Sequence, residues 1–111
     1  MSLPQRRRGE VYFYKFPDEF GGPHAVVIVS RDTGRDSVLA AYITSPKQPE
    51  AVDIIPIQED FDCHPALHGF VRCDRVFYLA KDDPSWSRFV LTMSDADMER
   101  VATGLRGALQ L

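Results

Sequence analysis

The sequence predicts a mainly β, α+β domain: a small antiparallel β-barrel closed by one C-terminal helix. Several short runs rich in β-branched and aromatic residues are separated by loops carrying Gly and Pro, the pattern of strands joined by turns. A single stretch, following Ser94, carries apolar residues at clear helical spacing. The length, 111 residues, allows one hydrophobic core but not two, so strands and helix must share it.

Residues 1–7 show no periodicity and are expected to form a flexible tail ahead of one domain over 8–111. Glu10 to Phe16 alternates polar and aromatic residues and reads as a strand. Pro17 to Pro23 holds two Gly and two Pro and reads as a loop. His24 then opens directly into Ala25-Val26-Val27-Ile28-Val29-Ser30, and Asp32 to Asp36 turns the chain into Val38-Leu39-Ala40-Ala41-Tyr42-Ile43. Continuous apolar runs bounded by turn formers read as buried strands. If these two are neighbours, their ends bring His24 near Thr44 and Ser45, an arrangement suited to phosphodiester chemistry.

Ser45 to Glu50 is a second loop, and Val52 to Ile57 a strand that Pro56 confines to a sheet edge or strand end. Gly69 to Cys73 is another strand, which Asp74 to Leu79 continues as strand or short turn. Lys81 to Ser85 is polar loop, with Trp86 an aromatic in that loop and a candidate interface anchor, before a last strand over Arg88 to Met93. Ser94 is a good helix N-cap, with Asp97 three residues on in a shortened capping box. Met98, Val101, Ala102, Leu105 and Leu109 form one apolar stripe. Gly104 and Gly107 each weaken that helix by roughly 1 kcal/mol against Ala, so docking must hold it.

The formal net charge of −3 does not advertise a nucleic-acid binder. Its distribution is more permissive: Arg31, Arg35, Arg72 and Arg75 lie near the strand ends, while Asp95, Asp97 and Glu99 open the last helix, where the helix dipole favours acid. No run of about 18 apolar residues exists to span a membrane, and Arg6-Arg7-Arg8 is followed by no apolar leader segment. The two cysteines, Cys63 and Cys73, make no disulfide framework, and free thiols in the cytoplasm are expected.

The ordered motifs resemble those of the MazF/PemK toxin family. Arg8-Gly9-Glu10-Val11-Tyr12, the Gly21-Gly22 loop, a strand ending in Ser30 and then Tyr42-Ile43-Thr44-Ser45 follow its order. Gly69-Phe70-Val71-Arg72-Cys73-Asp74-Arg75-Val76 is similar to its segment leading into Asp-Gln-Ile, and Leu91-Thr92-Met93-Ser94 plus helix to its Leu-Ser-Asp ending. The resemblance spans most of residues 8–110. It implies an SH3-like barrel, usually dimeric, acting as a metal-independent, sequence-selective endoribonuclease on single-stranded RNA and silenced by an antitoxin, with no cofactor.

Metal-free RNA cleavage needs a base for the 2′-hydroxyl, an acid for the departing 5′-oxygen, and donors for the phosphorane charge. The family is understood to use an arginine before the second strand and the threonine of Ile-Thr-Ser. Thr44 matches the threonine. At the arginine position, six residues before Ser30, this chain has His24, and Ala25 replaces the usual proline. Arginine clamps phosphate but does not give up its proton, whereas histidine titrates near pH 6.5. His24 and Thr44 are therefore the expected catalytic pair. Arg31, Arg72 and Arg75, with Ser45 and Asp74, are the expected RNA and phosphate contacts. Phe13, Tyr14, Phe16 and Phe20 are candidates for base stacking, and otherwise core or dimer contacts.

Cys63-His64, His68 and Cys73 carry zinc-type donors but fit no common ligand spacing, so no metal site is expected. The alternative function is a non-catalytic member of the same fold, degenerate or resembling the CcdB gyrase poisons, that acts by binding a protein partner. A plain interaction module is a third, because fold alone does not fix function.

Overall fold

The computed structural model describes residues 5–16, 23–31, 34–44, 54–56 and 70–109; within these, the side chains of Thr44 and Asp74 are among a few left undescribed. Six strands, β1 (Glu10–Lys15), β2 (Pro23–Ile28), β3 (Ser37–Thr44), β4 (Ile54–Pro56), β5 (Phe70–Ala80) and β6 (Trp86–Thr92), precede one helix, α1 (Asp95–Leu109). All pairings are antiparallel. They form one sheet in the order β4-β5-β3-β2-β1-β6. Among the described residues its edges β4 and β6 do not pair, so the barrel-like sheet is open. Pro56 does end an edge strand, where its missing N–H is tolerated.

Strand alternation divides the interior into two cores. Val11, Ala25, Val27, Ala41, Ile43, Val71 and Cys73 face one way and meet Met93, Met98 and Val101 from the helix end of the chain. Tyr12, Tyr14, Phe16, Val26, Ile28, Val38, Ala40, Tyr42, Leu79 and Trp86 face the other. The continuous apolar runs of β2 and β3 follow directly: these strands lie mid-sheet and, apart from the exposed Leu39 of β3, are buried on both faces. Met98, Val101 and Leu105 of the helix stripe dock as their spacing predicts, and Ser94 Oγ accepts the Asp97 N–H at 3.2 Å. Cys73 is buried with its Sγ 3.6 Å from the Val101 carbonyl, acting as a small hydrophobe.

Gly9 gives a physical reason for the Arg-Gly-Glu opening. Its φ is +91°, a conformation that other residues adopt only under strain. In it the Gly9 N–H donates to the Ile28 carbonyl at 2.8 Å and its own carbonyl accepts the Met93 N–H at 2.9 Å. One residue thus ties the start of β1 to the ends of β2 and β6.

Trp86 is not a loop residue free to anchor an interface. It begins β6, is 7% exposed, and meets Tyr12 and Tyr14 edge-on at 5.4 and 5.2 Å between centroids. Arg6 lies over both Tyr12 and Trp86, at 4.8 and 4.7 Å from the ring centres. Polar neighbours in sequence concealed this burial, since half-buried antiparallel strands mix polar and apolar residues.

Tyr14 Oη donates to Asp83 Oδ2 at 3.1 Å, and the Ser85 N–H donates to Asp83 Oδ1 at 2.8 Å. The Ser85 N–H, foremost, holds the Asp83 carboxyl below its usual range, against a weaker upward push from burial. A carboxyl lowered on folding stabilises above its unfolded value, about 3.9, and loses that contribution as pH falls through the folded value. Asp83→Asn is expected to lower Tm slightly at neutral pH and by less in acid, as the pH falls through the folded-state value. Equal decrements at both pH values in thermal melts would assign the effect to packing instead.

Candidate active site

The two strands that end in reactive side chains are neighbours. Val26 opposes Tyr42 between β2 and β3, and continuing that register two residues along each strand sets His24 opposite the Thr44 backbone. On its other side His24 opposes Tyr14 of β1. Alternation puts His24 on the same face as Val26 and Ile28, the face of the aromatic core. The imidazole is half-buried. Its ring centroid lies 4.9 Å from that of Tyr42 and 6.3 Å from that of Phe16. Phe16 also packs on Tyr42 and Phe77 at 5.8 and 4.9 Å, so the histidine stands at the end of an aromatic row.

The third strand of the site, β5, brings the cations. Arg72 opposes Tyr42 directly, and the Arg75 guanidinium lies 6.0 Å from the Tyr42 ring centre. A break in register makes this possible. Ala41 pairs with Val76 but Tyr42 pairs with Arg72, so Cys73, Asp74 and Arg75 have no counterparts in β3. An odd insertion inverts strand alternation. Cys73 and Val76 accordingly both serve the helix-side core, while Arg75 turns to Tyr42 on the opposite face. In sequence the polar Asp74-Arg75 pair marked this position as a strand or short turn; it is an irregularity within one 11-residue strand.

Burial pushes the Tyr42 phenol above its ordinary value, with the Arg75 charge opposing. Tyr42 is therefore a neutral hydroxyl at physiological pH. Sequence reading took it as strand core and missed its place in the site. The available signal was its position two residues before Thr44 in a strand otherwise of small and aliphatic residues, which puts it on the same face by strand period.

His24, Arg72 and Arg75 thus converge around Tyr42, with the Thr44 backbone beside them. Asp74 lies in the irregular stretch of β5. Arg31 is set apart: it follows the far end of β2, more than about 13 Å from His24 by strand length alone. Ser45, Phe20, Cys63, His64 and His68 lie outside the described residues. Of the aromatics expected as stacking, core or dimer contacts, Tyr14 and Phe16 are core residues of this chain, and Phe13 lies under Arg88 at 5.2 Å. Chemically, the arrangement offers an imidazole to move a proton and two guanidiniums for a phosphate.

A family model described as PemK-like, MazF-like toxin of type II toxin–antitoxin systems matches residues 7–109. No curated protein sequence matches the chain. Among solved structures, an endoribonuclease in complex with its cognate antitoxin, from a mycobacterial species, superposes with a TM-score of 0.80 at 23% identity, over 96% of this chain and 97% of that one. A mycobacterial endoribonuclease follows at 0.79 and 22% identity, over 100% and 97%. The MazE–MazF structure from Deinococcus radiodurans gives 0.74 at 15% identity, over 98% and 97%. At these identities the likeness establishes the fold.

Proposed function

The chain belongs to the PemK-like, MazF-like toxins of type II toxin–antitoxin systems, and from that premise we propose that it is a metal-independent endoribonuclease cutting single-stranded RNA. The observation that carries this reading is the convergence of His24, Arg72 and Arg75 around Tyr42 on one face of the sheet. The RNA 2′-hydroxyl attacks the adjacent phosphorus and loses its proton. The P–O5′ bond breaks, and the 5′-oxygen leaves with a proton. The products are a 2′,3′-cyclic phosphate and a 5′-hydroxyl. His24 serves as the proton-transfer group. Arg72 and Arg75 hold the phosphate and its developing charge, with the Thr44 hydroxyl and Ser45 as further donors.

The same reading includes an antitoxin as silencing partner and the cytoplasm as workplace. Among the described residues no helix is long and apolar enough to cross a membrane. It also includes a homodimer, for which Phe89, half exposed on the edge strand β6, is a suitable contact. Sedimentation is expected at twice the 12.6 kDa chain mass.

Purified protein incubated with a long RNA in the presence of EDTA tests the activity. Cutting at a limited set of sites, with 2′,3′-cyclic phosphate ends, is the expected outcome. RNA left intact at high protein concentration, across varied substrates, would refute the enzymatic reading.

A further inference from the structure

Tyr42 is the one aromatic residue in β3, and the groups of the proposed active site surround its ring. On the β2 side the His24 imidazole lies 4.9 Å away, centroid to centroid, and is tilted by 43°. On the β5 side Arg72 opposes Tyr42 directly, and the Arg75 guanidinium stands over the ring at 6.0 Å. The ring itself is held firmly. Tyr42 is 8% exposed, its cross-strand partner Val26 is fully buried, and Phe16 packs at 5.8 Å from Tyr42 and 6.3 Å from His24. Exposure rises outward from there: the imidazole is half-buried and Arg75 is exposed. A ring fixed in the core therefore reaches out between two groups that solvent would otherwise leave freer to turn.

We propose that Tyr42 is a positioning residue, whose ring is the shared wall that sets the His24 imidazole and the Arg75 guanidinium at one separation, so that both meet the same phosphodiester. The proposal rests on the ribonuclease reading above, which supplies the roles of those two groups. Long arginine side chains carry many rotamers, and a ring face beneath the charge favours those that keep it near. At 6.0 Å the contact is at the outer limit of that attraction, so it biases the side chain without locking it. The attraction uses the cation's charge and leaves its N–H donors for a phosphate. The imidazole gains a packed wall on its β3 side, which limits how far its own torsions swing. Such control has kinetic value, since reacting groups misplaced by about 1 Å lose about 10²-fold in rate. The register break in β5 fits the same role: it turns Arg75 to this face, and Tyr42 is the side chain that receives it. Burial keeps the phenol protonated at neutral pH, so the assigned role belongs to the ring and leaves proton transfer to His24.

The test is steady-state cleavage of one RNA by wild type, Tyr42→Phe, Tyr42→Leu, His24→Ala and the Tyr42→Leu/His24→Ala double variant, with circular dichroism checking each fold. Tyr42→Phe keeps the wall and is expected to cut within about threefold of wild type. Tyr42→Leu removes it and is expected to lower kcat about 10–100-fold. In the His24→Ala background the same substitution is expected to cost only a fraction of that loss, the part owed to Arg75, because an absent group cannot be misplaced. Undiminished kcat in Tyr42→Leu overturns the proposal. The same factor lost in both backgrounds also overturns it, since a role in packing alone is additive. A loss of about tenfold or more in Tyr42→Phe overturns it a third way, by moving the role to the hydroxyl, and this variant decides the question even if Tyr42→Leu does not fold. The ribonuclease reading fails separately, as absence of cutting by wild type, and takes this role with it.

Discussion

His24→Ala is expected to cut RNA about 10²–10⁴-fold more slowly than wild type while keeping its fold, the range for losing a general acid or base. The imidazole is half-buried at the start of β2 and packs on Tyr42 at 4.9 Å, so its removal trims the rim of the aromatic row and leaves the core intact. His24→Arg restores the residue type that the family uses at this position and is expected to retain activity. Single-turnover cleavage of one RNA by the three proteins checks this. Equal rates for His24→Ala and wild type would make the histidine structural and move the chemistry to Arg72 and Arg75.

Trp86→Ala is expected to destabilise the protein by about 3–5 kcal/mol, the range for truncating a buried large aromatic. Three losses combine. The indole is 7% exposed, so a cavity opens. Its edge-on contacts with Tyr12 and Tyr14 vanish. Its Nε1–H donates to the Ala80 carbonyl at 2.6 Å, and that acceptor is left without this donor. Trp86→Phe keeps much of the volume but not the hydrogen bond, and should fall between. Urea unfolding monitored by far-UV circular dichroism measures both. A loss under about 1 kcal/mol for Trp86→Ala would contradict its place in the core.

The strands that carry His24 and Thr44 were legible because both are buried on two faces along most of their length. Such strands write themselves as unbroken apolar runs, and β2 and β3 occupy mid-sheet positions. The helix was legible from its cap and stripe, and Pro56 correctly marked an edge. What escaped was set by non-local geometry. The break in β5 that turns Arg75 toward Tyr42 depends on pairing with β3, which no local pattern encodes. Trp86 and Tyr42 were misread for a related reason: an aromatic's burial depends on which strands the sheet brings beside it. Arg31 followed the same logic in reverse, being near the motifs in sequence but beyond the wrong end of β2.

The claim that His24 moves the proton is tested most directly by the pH–rate profile of RNA cleavage for wild type and His24→Arg, measured side by side from about pH 5 to 9. Wild type is predicted to show a pH-dependent step in rate, as a proton-transferring side chain requires, and His24→Arg to lack it. Profiles of the same shape for the two proteins would contradict the account.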